Sequence, residues 1–213
     1  LRFLMGRPLI TYSIRAALGC HFIERCFVTT EDAEIKAVSL AEGAEVIDRP
    51  KRLATDNALS TDTVRHALKY LVRQDYQPEY FVLLQPTSPL RSAQHLTSRL
   101  RRFFRSKANC AISFTDVKHH PYKCFKLDRK KIIPLKNEKE MEKPRQLLPE
   151  IYAQNGAIYV MPTKTFLKKD AFYAHPVMPF FMSTEDSIDI DNELDMKMAE
   201  FFASAKTKKG KKN

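Results

Sequence analysis

The nine residues SIDIDNELD, Ser187 to Asp195, hold four carboxylates in a chain whose formal charge is +11. In extended backbone, side chains two apart share a face and lie roughly 6.6 Å apart along the strand. Asp189 and Asp191 would then point to one side while Ile188 and Ile190 turn into the core. Magnesium takes oxygen ligands at about 2.0–2.1 Å and commonly combines one or two carboxylates with waters and phosphate oxygens. A pair at this spacing can therefore grip a metal–phosphate unit without enclosing it. The same residues also suit helix initiation, with Asp191 or Asn192 as N-cap and Glu193 as an early-turn acid, worth typically ~1 kcal/mol for a good cap. The two uses are compatible if a strand holds the aspartates and the helix begins at Asn192.

A second group follows the apolar run YFVLL: Gln85-Pro86-Thr87-Ser88-Pro89-Leu90-Arg91. Ligands of open α/β sheets bind at the carboxyl ends of strands, and two prolines here make a tight turn that leaves Gln85, Thr87 and Ser88 free to face a cleft. The plainer reading is a strand-to-helix turn with Ser88 or Ser92 as the cap. On residue type alone, Lys123 and Arg145 read as surface charges and Asn155-Gly156 as a turn. Cys20, Cys26, Cys110 and Cys124 form no CxxC pair and no zinc-ligand spacing with histidine, so they read as reduced thiols behaving as small hydrophobes.

The elements that position these groups follow from periodicity. Pro8 suits the first turn of a helix over 8–18, with Ile10, Ile14, Ala17 and Leu18 at helical spacing. IERCFVTT reads as a strand, 31–42 as a helix stopped at Gly43, and AEVIDRP as a short strand. A helix beginning near Ser60 carries Val64, Ala67, Leu68 and Leu71 inward. YFVLLQP suits a strand buried on both faces of a parallel sheet. An Arg-rich helix with Leu96, Leu100, Phe103 and Phe104 as its apolar positions leads to the strand CAISFTDV. This order predicts an open, mostly parallel sheet flanked by helices. Residues 118–150 are charged and proline-punctuated, with strand candidates KCFKLD and KKIIPL, and read as an excursion from that sheet. The core resumes with NGAIYVM, a helix near 163–168, PVMPFFMS, and a last helix over 192–203 burying Leu194, Met198, Phe201 and Phe202.

The chain has 213 residues, 44% of them hydrophobic, enough for one domain with a sizeable core. It has no run of 18 apolar residues and no signal-like N-terminus, which argues against a membrane span and for a cytoplasmic protein. Lys206, Lys208, Lys209, Lys211 and Lys212 supply five of the eleven net positive charges. Residues 204–213 read as a disordered, solvated Lys-rich tail. The helix carrying Arg99, Arg101, Arg102 and Arg105 reads as a solvated face, so nucleic acid is the least favoured partner.

Five blocks, DRPKRLATDNALS, LLQPTSPLR, EKPRQLLP, QNGAIY and SIDIDNELD, resemble in order and spacing the cytidylyltransferases that activate nine-carbon 2-keto sugar acids, the N-acylneuraminate cytidylyltransferase (CMP-sialic acid synthetase) family. The resemblance covers residues 1–203. It implies a three-layer, Rossmann-like α/β nucleotidyltransferase fold with a mostly parallel central sheet, and a small dimerisation insertion over about 118–150 that makes a homodimer. It further implies that Arg49 and Ser60 contact the cytidine moiety and that Gln85 lies between nucleotide and sugar. Lys123 and Arg145 would face the acidic sugar, Asn155 and Tyr159 would line its pocket, and Phe180 and Phe181 would pack against its acyl side.

The implied reaction is attack by the anomeric hydroxyl on the α-phosphate of CTP, giving the CMP-sugar and pyrophosphate. Asp191 and Asp189 would hold Mg²⁺ (or Mn²⁺), and Asp189 is also a candidate base. Two departures from the family pattern stand out. Ala153 occupies a position where several members have arginine. The chain also starts directly after the position of the family's opening strand and phosphate loop, which resembles IPARGGSKGxPxKN, and is expected to lack both. The alternatives are a non-catalytic sugar-acid-binding or dimer-forming remnant, and a CMP synthetase for legionaminic or pseudaminic acid.

Overall fold

The computed structural model describes residues 1–210, with side chains through Lys206. A tight hairpin, β1 (Phe3–Leu4) and β2 (Arg7–Pro8), opens into helix α1 (Leu9–Leu18). Alternation follows: β3 (Phe27–Thr30), α2 (Ala33–Ala41), β4 (Glu45–Asp48), α3 (Ser60–Arg73), β5 (Tyr80–Leu83), α4 (Ala93–Phe104) and β6 (Cys110–Asp116). The caps are those the side chains favour: Asp32 accepts from the Ile35 amide ahead of α2, and Ser92, not Ser88, caps α4 with His95 closing the box.

After β6 the chain leaves the sheet. Strands β7 (Phe125–Asp128) and β8 (Lys131–Pro134) pair only with each other, through a turn whose Arg129 and Lys130 both have positive φ. Helix α5 (Glu138–Glu142) follows, and the chain re-enters as β9 (Tyr152–Pro162), then α6 (Thr163–Lys169), β10 (Val177–Phe181) and α7 (Glu193–Gly210).

The main sheet has the order β10-β6-β9-β5, while β3 and β4 form a separate parallel pair. Strand β10 runs parallel to β6, but β9 is antiparallel to both its neighbours, so the sheet mixes the two directions. The excursion explains this. It departs from the C-terminal end of β6 and returns there, with Asp116 facing Tyr152, and a connection that stays at one end of a sheet gives antiparallel neighbours. Strand β5 differs from its expected double burial: Tyr80 is 37% exposed, the rest is half-buried, and β9 is its one ladder partner among the described residues.

Alternation along the strands builds three layers. Ala111, Ile158, Val160 and Phe180 pack under α1 and α4 with Leu96, Leu100 and Phe103. Cys110, Ile112 and Met161 face the opposite way, onto Leu68 of α3 and Phe166 of α6. Phe180 is fully buried in the first of these layers, so it cannot line a ligand pocket; its strand neighbour Phe181, 47% exposed, is the outward residue. All four cysteines are free. No described helix is long and apolar enough to cross a membrane.

Helix α7 inserts Met196 and Ala199 beside Leu4, Leu90, Ile188 and Ile190. Leu194 and Phe201, expected to face the core, are 66% and 67% exposed. Met198 and Phe202, expected on the same side, do pack against this cluster beside Ala203, so the docking surface selects among apolar positions that helical spacing alone does not distinguish. The helix also runs on to Gly210, through residues expected to be disordered. Alanine and lysine extend an existing helix readily, because its nucleation is already complete. Lys206 is further tied to Asp186 and to the Leu90 carbonyl. Residues 211–213 of the expected tail lie outside the described residues.

Candidate active site

Three segments meet at the carboxyl end of β5. The first is the loop Gln85–Arg91. Arg91 is almost wholly buried and donates to the carbonyls of Gln85 and Ser88, each at 2.8 Å, and to the Ser13 hydroxyl. Burial pushes its pKa down to about 9, so it keeps its charge near neutral pH without a carboxylate partner. A buried cation holding two carbonyls makes this loop a rigid platform.

The second segment is a bulge in β9. Ile112 pairs with Tyr159 and Phe114 with Gln154, so residues 155–158 lie opposite Ser113 alone. The Ser113 hydroxyl replaces the interrupted ladder by accepting from the Ile158 amide at 2.8 Å and donating to its carbonyl at 3.1 Å. Gly156 has φ +70°, and a Cβ there would lie 2.2 Å from Gln85 Oε1. Glycine is thus required by both backbone conformation and close approach. Asn155-Gly156 is this bulge rather than a turn between elements.

The third segment is Ser187–Asp191. It follows a 3₁₀ turn, Glu185–Ser187, and is irregular chain rather than the expected strand. Ile188 and Ile190 are nonetheless buried and Asp189 and Asp191 are not, because the core takes the isoleucines. The Asn192 side chain accepts from the amides of Leu194 (2.9 Å) and Asp195 (3.1 Å), and Asp195 accepts in return from those of Asn192 (3.1 Å) and Asp191 (3.2 Å). Helix initiation therefore uses Asn192 and Asp195 and leaves the Asp189 and Asp191 carboxylates uncommitted.

Asp189 Oδ1 is buried with no hydrogen-bond partner. Burial raises the pKa of this carboxyl above the usual range, a hydrogen bond from Thr87 opposes that rise, and Asp191 and Asp195 add to it. Tyr159 is raised as well, by burial and then by Asp189. An acid with an orphaned oxygen, beside further acids and without a cation, fits a divalent ion. Among the described residues no cluster of three or more protein ligands exists, so a metal here would draw most of its ligands from water and phosphate, the usual habit of magnesium.

A cavity of about 440 Å³ opens beside this junction, lined by Ser60, Gln85, Tyr159, Asp170 and Phe172. The structure thus brings Ser60, Gln85 and Tyr159 together, and the charge of Asp189 acts on Tyr159. Asn155 stands behind them: it is buried and donates to the Ser187 hydroxyl at 2.9 Å, bracing the turn that precedes Asp189.

Arg49, Lys123, Arg145 and Phe181 lie outside the lining of this cavity. Arg49 is held by Glu31 at 2.6 and 2.8 Å. Lys123 donates to the carbonyls of Met141 and Lys143, and Arg145 to those of Val117 (2.9 Å) and Lys118 (3.4 Å). These two stitch the excursion to itself and its root rather than reaching the cavity. Phe181 packs on Tyr152, ring centroids 4.5 Å apart. Asp170, which also lines the cavity, was not singled out from the sequence; it closes α6 with φ +56° and pairs with Arg65 of α3, a placement that no local pattern signals.

The family model described as Cytidylyltransferase matches residues 1–203. N-acylneuraminate cytidylyltransferase of Escherichia coli O18:K1:H7 is 32% identical over 197 residues, covering 92% of this chain and 46% of that protein. CMP-N,N'-diacetyllegionaminic acid synthase of Legionella pneumophila is 30% identical over 202 residues, covering 93% of this chain and 86% of that protein. Pseudaminic acid cytidylyltransferase of Campylobacter jejuni is 27% identical over 196 residues, covering 92% and 84%. The chain spans about half the length of the Escherichia coli relative. Among solved structures, CMP:2-keto-3-deoxy-manno-octonic acid synthetase complexed with CTP superposes with a TM-score of 0.68 at 13% identity, covering 97% of this chain and 91% of that one, a likeness of fold. Since the match runs unbroken through all three segments that meet at the end of β5, this chain belongs to the cytidylyltransferase family.

Proposed function

We propose that the chain transfers CMP from CTP to the anomeric hydroxyl of a nine-carbon 2-keto sugar acid, releasing pyrophosphate. The observation that carries the reading is Asp189: a carboxylate with a buried, partnerless oxygen, held beside Thr87 and Asp191 on a segment bonded to the loop that begins at Gln85, a residue lining the cavity. Ser60 and Gln85 bind on the nucleotide side and Tyr159 on the sugar side. Asp189 and Asp191 hold a divalent cation, Mg²⁺ or Mn²⁺, which when bound screens the phosphate charges and stabilises the departing pyrophosphate. Alternatively Asp191 holds the cation alone and Asp189 is the base, taking the proton of the attacking hydroxyl as the new oxygen–phosphorus bond forms and the bond to pyrophosphate breaks. Arg91 acts through the loop, keeping Gln85 and Thr87 in place so that orientation need not be established at each turnover.

The names of the relatives support the nine-carbon class and differ among themselves in the acid: N-acylneuraminic, legionaminic and pseudaminic. Pyrophosphate release measured with each of these acids in turn, with CTP and Mg²⁺, tests the reading. Turnover with one of them is expected, and none with any would overturn it.

We further propose a homodimer formed through the β7–β8 hairpin, which exposes Leu127 at 75% and Ile132 at 70%. A second reading, a sugar-acid-binding or dimer-forming remnant, is favoured by one observation. Among the described residues no lysine or arginine lines the cavity, whereas a triphosphate calls for cations. Calorimetry with CTP and with the sugar acid separately divides the two readings, since the remnant binds no CTP.

A further inference from the structure

Helix α3 carries a second concentration of chemistry, on the face turned away from Ser60. Asp62, His66, Lys69 and Arg73 recur at three- and four-residue spacing and share one side of the helix. Against that side lies a short 3₁₀ turn, Lys51–Leu53, which presents Arg52 and is anchored by the buried Leu53. Between them is a hollow of about 350 Å³. That is ample room for a small hydrated ion.

The charges in this hollow are unbalanced. Arg65 is neutralised by Asp62 at 2.5 Å and by Asp170. Arg52, Lys69 and Arg73 have no ion pair with any carboxylate among the described residues. His66 stands among them with a buried Nδ1 that has no hydrogen-bond partner. Burial, then Arg52, then Arg73 push its pKa down, so the ring is neutral at pH 7 and offers Nδ1 or Nε2 as a donor, according to tautomer. Like charges converging on a concave surface repel one another, and a bound anion converts that repulsion into attraction.

We propose that this hollow is a second binding site, for a small multivalent oxyanion of the phosphate class, held by Arg52, Lys69 and Arg73 with His66 as a further donor. Two guanidiniums provide paired donors for phosphate oxygens and the lysine a compact charge. The site is separate from the cavity at the end of β5, though Arg65, paired with one acid from each cavity, links their walls.

The test is an NMR titration of the His66 ring in the full chain with sodium phosphate, against sodium chloride at equal ionic strength. The titratable and charged groups that share the hollow with the ring are Arg52, Asp62, Arg65, Lys69, Tyr70 and Arg73. Phosphate is expected to shift the His66 resonance saturably and to raise its pKa towards the ordinary histidine value, because the anion offsets Arg52 and Arg73. Chloride is expected to do neither. In the double variant Arg52→Gln, Arg73→Gln the phosphate response should fall at least about tenfold in apparent affinity. A wild-type ring that phosphate leaves unmoved, or moves no more than chloride does, overturns the site, as does an undiminished response in a folded double variant.

Discussion

The backbone amide of Ile190 donates to the carbonyl of Thr87 at 2.8 Å, joining the segment that carries Asp189 and Asp191 to the loop after β5. The acids are therefore placed by a bond between two irregular segments rather than by a strand ladder, and their geometry depends on the loop that Arg91 holds. The consequences are open to measurement.

Asp191→Ala should lower Mg²⁺-dependent pyrophosphate release by at least about 100-fold, the scale of lost electrostatic stabilisation at a transferring phosphoryl group. Asp191 is exposed, and its side chain accepts no backbone amide at the helix start, so the melting temperature should hardly change. Activity assays paired with thermal melts check both halves; full activity would remove Asp191 from the metal site.

Asp189 should make stability depend on pH in an unusual direction for an aspartate. Its folded pKa is raised, so the group costs nothing below the unfolded value of about 3.9 and destabilises progressively as pH climbs through the folded value. Asp189→Asn is therefore expected to melt higher than wild type at pH 7 and equally near pH 3. Adding Mg²⁺ at pH 7 should raise the wild-type melting temperature, and removing it with EDTA should reverse the gain, while the variant responds to neither.

Gly156→Ala should destabilise by about 1–2 kcal/mol from the left-handed backbone alone, with a further cost from the contact at Gln85 Oε1. Gln85→Ala in the same chain should recover the second part and not the first. A double-mutant cycle on denaturant midpoints separates them, and additive effects would show that the two side chains do not meet.

Asn192→Ala should cost about 1 kcal/mol by leaving the amides of Leu194 and Asp195 uncapped, whereas Asn192→Asp should be nearly neutral. Urea unfolding measures the difference. Equal destabilisation by the two substitutions would mean that the amide group itself, not the capping oxygen, matters.

Much of this arrangement was legible in the chain. The helical spacing of Leu96, Leu100 and Phe103, the apolar run at Phe81 to Leu83 and the glycine at 43 mark elements that the structure contains. The charged, proline-punctuated segment over 118–150 is the excursion, with both of its strands near their expected places. Ser60, Gln85 and Tyr159 were identified through the resemblance and do share a cavity. Arg49, Lys123 and Arg145 were carried over in the same way, but here their charges are taken up by Glu31 and by backbone carbonyls, partners that sequence spacing does not reveal.

What the sequence determined by itself was local: where most of the longer helices and sheet strands lie, and that isoleucines at 188 and 190 would turn inward and free the intervening acids. Those facts follow from the periodicity of apolar side chains, which a linear pattern contains completely. The tertiary structure alone decided the reversed direction of β9, the outward choice of Phe181 over Phe180, the stripe of α7 that docks, and the meeting of Thr87 with Ile190. Each of these depends on contacts between residues far apart in the chain, whose energies are set by the shape of the surface they meet rather than by neighbours in sequence.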